Sequence, residues 1–134
     1  MPATLSEGVR KLFREANFAH MATLMADGSP QVTPVWVDLE GDRILVNSAE
    51  GRTKPRNVRL DPRVAISITS GENPYAAAFV RGRVVNVTHE GADDHINKLA
   101  NKYLGQDVYP FRQPGEQRLI FAIEPEHVSS MMTD

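Results

Sequence analysis

Apolar residues follow two rhythms along this chain. Near the start, Val9, Leu12, Phe13 and Ala16 recur at spacings of three and four behind Ser6, a good capping residue. That pattern predicts a short amphipathic helix over Glu7 to Ala16. The rhythm then shortens. Phe18 to Met25, Gln31 to Asp38 and Arg43 to Asn47 read as strands, linked by the hairpin signal Asp27-Gly28 and by Glu40-Gly41-Asp42. Three short strands with tight turns predict an antiparallel meander. Ser48-Ala49-Glu50-Gly51 reads as a loop, after which Thr53 is placed to cap a short helix reaching about Leu60. Pro55 falls in the first turn of that helix, where a missing N–H costs nothing, and Asp61-Pro62 ends it.

Val64 to Thr69 and Ala76 to Val87 read as strands on either side of Gly71-Glu72-Asn73-Pro74. Gly82, between Arg81 and Arg83, predicts a bulge or sharp bend of the kind that closes small barrels. Thr88 can cap a helix from about Glu90 to Leu104, with Ile96, Leu99, Ala100, Tyr103 and Leu104 on its apolar face and Gly105 as its stop. Gln106 to Gly115 holds two prolines and reads as a loop; Gln117 to Ile123 is a last strand, and Met131 and Met132 are expected in a flexible tail. Strands joined by turn-length links, with only short helices, do not suit a parallel α/β sheet. The pattern predicts a mainly β fold: one domain over residues 1–134, built as a six-stranded antiparallel Greek-key barrel.

Composition narrows the class. With 134 residues, 41% hydrophobic and 24% charged, the chain is an ordinary globular domain that can hold a core without cross-links. A net charge of -2 argues against general nucleic-acid binding. The absence of cysteine excludes disulfides, thiolate chemistry and cysteine-based zinc sites, and fits a cytoplasmic protein. There is no apolar run of about 18 residues or more, so no membrane span is expected. Met1 to Ala16 is polar and charged, unlike a signal peptide.

The run that carries chemistry is Arg52-Thr53-Lys54-Pro55-Arg56-Asn57-Val58-Arg59. Cations at a helix start oppose the helix dipole, yet Arg52, Lys54 and Arg56 all sit there. Together with the free N–H groups of a first turn, they form an anion site, and a phosphate would relieve their repulsion. The competing reading is a solvated basic face, since Arg52, Arg56, Arg59 and Arg63 are spaced four, three and four apart. Neither a Gly-rich dinucleotide fingerprint nor a Walker loop is present. Pro34 cannot donate to a strand ladder and belongs at an edge or bulge. Trp36 offers a broad flat surface with one donor, for a ligand or for a core or interface.

Other polar residues point to structure. His20, His89, His95 and His127 lack ligand spacing and a framing carboxylate cluster, so no metal is expected. Glu90, Asp93 and Asp94 suit a helix start. Tyr75 and Tyr103 could donate a proton but read better as packing residues, and Ser48, Ser129 and Ser130 show no arranged base, which disfavours a hydrolase.

Read together, the motifs resemble the split-barrel flavin-binding superfamily that includes pyridoxamine-phosphate oxidase. Within it, the chain is most similar to the branch of deazaflavin (coenzyme F420)-dependent oxidoreductases. The resemblance is carried by Met21-Ala22-Thr23-Leu24, by Asp27-Gly28-Ser29-Pro30-Gln31-Val32-Thr33-Pro34-Val35-Trp36 and by Asn47-Ser48-Ala49-Glu50-Gly51-Arg52-Thr53-Lys54. Arg56 to Arg63, Asn73-Pro74-Tyr75, Val80-Arg81-Gly82-Arg83-Val84 and Lys102-Tyr103-Leu104-Gly105 extend it over almost the whole chain. It implies a homodimer with cofactor sites at the subunit interface. Arg52, Lys54 and Asn57 would hold the cofactor phosphate. Thr33, Pro34, Val35 and Trp36 would lie against the ring system, and Ser48 and Ala49 would line the same groove. A partner subunit would contribute from its own Tyr103 to Phe111 region. Arg56, Arg59 or Arg81 could accommodate the acidic tail of the deazaflavin.

The function so implied is hydride transfer between the deazaflavin and a small organic substrate. The alternatives are an FMN-binding oxidoreductase of the same fold and a flavin- or haem-binding protein without turnover.

Overall fold

Trp36 divides what the alternation predicts as one strand. In a computed structural model describing residues 2–133, the chain forms β1 (Ala19–Leu24), β2 (Pro30–Val35), β3 (Val37–Glu40), β4 (Arg43–Ala49), β5 (Arg63–Thr69), β6 (Ala77–Thr88) and β7 (Arg118–Met131). Three helices accompany them: α1 (Glu7–Arg14), α2 (Thr53–Leu60) and α3 (Ala92–Leu104). All strand pairs are antiparallel, in the order β2-β1-β5-β6-β7-β4-β3. β2 and β3 are separated by Trp36 alone, yet they occupy opposite edges of the sheet. The sheet must therefore curl until its edges meet at that residue, which is the seam of a split barrel. The predicted mainly β architecture is present, with seven strands rather than six because the Gln31–Asp38 segment is cut at the seam.

Other boundaries shift for identifiable reasons. Ser48 and Ala49 belong to β4 rather than to a loop, because they pair with Leu119 and Arg118 of β7. β7 runs through Pro125 to Met131 instead of ending at Ile123, so Met131 is not part of a flexible tail. Pro125 is tolerated where the β6–β7 register slips, opposite Gly82. That slip is the predicted irregularity. A Cβ on Gly82 would lie 2.2 Å from the Glu124 carbonyl oxygen, so only glycine lets the strands approach there.

α1 ends at Arg14, two residues early, and Ser6 caps it by accepting from the Val9 amide at 3.3 Å. α3 begins at Ala92, not Glu90. Gly91, in a left-handed conformation, occupies its N-cap, and Thr88 instead accepts from the Glu90 amide. Gly105 closes α3 as expected. Thr53 is the first residue of α2 rather than its cap. Arg52 holds the cap position and makes no side-chain capping bond. Arg63 lies beyond the helix, in β5, and cannot share its face.

The barrel interior is apolar, with Met21, Ile44, Val46, Ile66, Ile68, Phe121 and Ile123 buried. Val9, Leu12 and Phe13 of α1 join that core. Each side chain of this size removed from water contributes about 1.5–3 kcal/mol, which makes the barrel a rigid frame for the groups on its rim. No helix among the described residues is long and apolar enough to cross a membrane.

Candidate functional site

A groove of about 280 Å³ opens beside the seam, where β2, β4, β7 and the start of α2 converge. Pro34, Val35 and Trp36 form one wall. Pro34 sits on the edge strand, where its missing N–H leaves no gap in the ladder. Ile96 and Leu99 of α3, both buried, also line the groove. Tyr109 and Phe111 come from the loop after α3. That loop is fastened to the helix: the Tyr109 amide donates to Asn97 Oδ1 at 2.9 Å, and Arg112 pairs with Asp93 at 2.8 Å.

Three cations face the same space. Arg52 and Lys54 arrive from the start of α2, and Arg118 from the first position of β7. Lys54 donates to Thr33 Oγ1 at 3.0 Å. Burial, then the neighbouring charges of Arg52 and Arg118, lower its pKa below the ordinary lysine value. Arg118 is buried. It donates from Nε to Asn47 Oδ1 at 2.8 Å, bonds Glu116 through Nη1, and lies over the Tyr109 ring at 5.1 Å. Glu116 also approaches Arg52, at 3.6 Å. Glu116 thus pairs with two of the three cations, and Lys54 has no acidic partner among the described residues. Ser48, buried in β4, lines the groove with its Oγ unpartnered. Cations in excess, an orphaned hydroxyl and an aromatic wall are the chemical groups that suit a flat molecule carrying an anion.

Of the residues singled out in the sequence, Pro34, Val35, Trp36, Ser48, Arg52 and Lys54 line this groove, and Thr33 touches it through Lys54. Ala49 is buried and does not line it. Asn57 is also absent from the groove. It is fully buried under α2, where Nδ2 donates to Thr23 Oγ1 at 2.9 Å, and so it ties the helix to β1. Arg56, Arg59 and Arg81 lie outside the groove as well. Arg59 is held by Glu50 through two bonds and Arg63 by Asp61, so these two are paired with acids and add nothing to the crowding of cations at the start of α2.

Asn47, Phe18 and Arg118 were not anticipated. Arg118 and Asn47 are diagonal neighbours across the long-range β4–β7 pairing, which sets Arg118 opposite Ala49 and which local sequence does not reveal. Tyr109 and Phe111 enter the groove from the same chain, whereas the resemblance assigned that region to a partner.

The sequence profile of the pyridoxamine 5'-phosphate oxidase family matches residues 5–132, and the chain belongs to that family. Among solved structures, one named F420 reductase is 29% identical, with a TM-score of 0.81 over 93% of this chain and 98% of its own. The HupZ protein of Group A Streptococcus superposes with a TM-score of 0.69 at 17% identity, covering 95% of this chain and 94% of that one. General stress protein 26 of Bacillus anthracis gives 0.69 at 12% identity, covering 93% and 92%. The last two share the fold.

Proposed function

We propose that the chain is a coenzyme F420-dependent oxidoreductase that reduces a small organic substrate. The observation that carries this reading is the crowding of Arg52, Lys54 and Arg118 in an aromatic groove, where Glu116 pairs with two of them and Lys54 has no acidic partner among the described residues. Arg52, Lys54 and Arg118 would hold the coenzyme phosphate, Ser48 Oγ would donate to it or to the adjoining chain, and Trp36, Pro34 and Val35 would face the ring system. When bound, the coenzyme supplies a hydride to an electron-poor atom of the substrate. The protein's own part is binding, orientation and exclusion of water. It asks no acid–base constellation of the chain, and Tyr103, whose hydroxyl is engaged with the Val37 amide and the Asn17 carbonyl, is not free to serve as one. The likeness to a structure named F420 reductase, at 29% identity, supports the deazaflavin over other flavins.

The same reading makes the chain a homodimer with its sites at the subunit interface. Phe18 and Phe111, at the groove, are 63% and 59% exposed in the single chain, as residues awaiting a cover would be. Light scattering should give twice the chain mass; a monomer at all concentrations would remove the shared site.

The deciding experiment is a side-by-side titration of purified protein with the deazaflavin coenzyme, FMN, FAD and haem. Saturable binding of the deazaflavin, and reoxidation of its chemically pre-reduced form by a panel of activated alkenes, is the expected result. Binding of FMN alone would replace the proposed coenzyme while leaving the groove in place, and binding of none would overturn the reading.

A further inference from the structure

Asn47 of β4 stands between the groove and a buried histidine. Its Oδ1 accepts from Arg118 Nε at 2.8 Å, and its Nδ2 donates to the Ala92 carbonyl at 2.9 Å. A guanidinium can only donate and a carbonyl can only accept, so these two contacts fix which end of the amide is which. The same Nδ2 meets His95 Nδ1 at 3.1 Å, so that ring nitrogen must accept. The proton of the neutral ring therefore sits on Nε2, which faces Asp38 Oδ2 at 3.2 Å. The imidazole is only 8% exposed, so water has little room to replace either partner.

We propose that His95, as its Nε2–H tautomer, is a positioning residue that aims Arg118 into the groove through Asn47. Only the last step, from Arg118 to ligand, rests on the coenzyme reading above. A proton on Nδ1 would set N–H against the Asn47 NH2. Turning the amide to escape would then set NH2 against Arg118 Nε–H, so either response breaks the line from Asp38 to the groove. The charged groups facing this line are Asp38 from β3, Lys98 from α3, which reaches Asp38 at 3.1 Å, and Arg118 with Glu116 beyond Asn47. Without Asn47, the Arg118 side chain keeps, among the described residues, only Glu116 and the Tyr109 ring, both of which belong to the loop side of the groove.

The test begins with the wild-type full chain, so it does not depend on a variant folding. Long-range nitrogen–proton NMR of the histidine rings should show His95 with Nε2 protonated and Nδ1 bare near neutral pH. An Nδ1–H tautomer or an imidazolium there overturns the proposal. The Arg118 Nε–H resonance should move in His95→Phe and hold its wild-type position in His95→Asn, which restores an acceptor near Nδ1. Identical Arg118 signals in wild type and His95→Phe overturn the coupling. For whichever of FMN and the deazaflavin binds the wild type, affinity should fall about tenfold in His95→Phe and recover in His95→Asn, the size of one charge-assisted contact. If neither binds, the functional reading fails, while the tautomer and the Arg118 signal still decide this proposal.

Discussion

The indole of Trp36 and the phenol of Tyr103 lie face to face, ring centroids 5.2 Å apart and planes within 6°. Tyr109 closes on the indole edge-on at 6.0 Å. Trp36 is thereby clamped at the one residue where the sheet changes edge. The Tyr103 hydroxyl completes the seam, accepting from the Val37 amide at 3.2 Å and donating to the Asn17 carbonyl at 2.8 Å. A helix side chain takes the place of a missing ladder bond, so the wall of the groove is held by α3 as well as by the barrel.

Tyr103→Phe should keep the stack and strand those two backbone groups, lowering stability by about 1–3 kcal/mol. Urea unfolding followed by fluorescence reads this directly, since Trp36 is the only tryptophan. A midpoint equal to that of the wild type would mean that the phenol does not hold the seam.

At Gly82 the barrel tolerates no side chain. A Cβ there would meet the Glu124 carbonyl oxygen at 2.2 Å and the Pro125 Cα at 3.1 Å, all backbone that cannot step aside. Gly82→Ala should cost about 1–3 kcal/mol through overpacking. Gly71→Ala is the control, because its nearest neighbour, Asn17 Oδ1, lies at an ordinary 3.7 Å. Thermal melts that shift equally for both would remove the special role of Gly82.

How much of this was legible beforehand depends on the range of the interaction that decides each feature. Gly82 and Pro34 announce themselves because their constraint is carried by a single residue, and both sit where that constraint predicts. The break at Trp36 was hidden. Val35, Trp36 and Val37 read as uninterrupted strand, and only the meeting of distant edges separates them. Lys54 and Arg52 stand out in the sequence because three cations at a helix start conflict locally, and both side chains line the groove. Asn57 lies off the groove for a related reason: sequence puts it on the same short helix but cannot say that its amide turns inward to Thr23. Arg118 and Asn47 could not be joined at all, being 71 residues apart and brought together by strand pairing.

Asp38 gives a pH signature. Burial raises its carboxyl pKa, but bonds from His95, Lys98 and the Leu39 amide outweigh that and hold it well below the ordinary carboxylate range. A folded value below the unfolded one stabilises the fold fully above the unfolded pKa of about 4 and loses that contribution as the pH falls toward the folded value. Asp38→Asn should therefore be less stable than wild type by a constant margin from about pH 5 to 7, and the margin should close below about pH 4. Denaturant melts across that range would show it; a margin that persists unchanged in acid would mean that Asp38 contributes by shape rather than charge.

The cation cluster makes a paired prediction with opposite signs. Lys54 is pushed toward its neutral form by burial and by Arg52 and Arg118, so its charge is a burden on the fold that a bound anion would relieve. Lys54→Ala should weaken coenzyme binding by about 1.5–3 kcal/mol with little change in unfolding midpoint. Glu116 works in the other direction. It bonds Arg118, approaches Arg52 and accepts from the Gln113 amide at 2.8 Å, so it both neutralises the groove and braces the loop that ends there. Glu116→Gln should lower stability while tightening the coenzyme, because the ligand's anion no longer competes with a resident carboxylate. Isothermal titration and melts of both variants separate charge from scaffold. If Lys54→Ala binds as the wild type does, that side chain is not part of the site. If Glu116→Gln weakens binding, the carboxylate acts by holding Arg118 and the loop in place rather than by competing for the arginines.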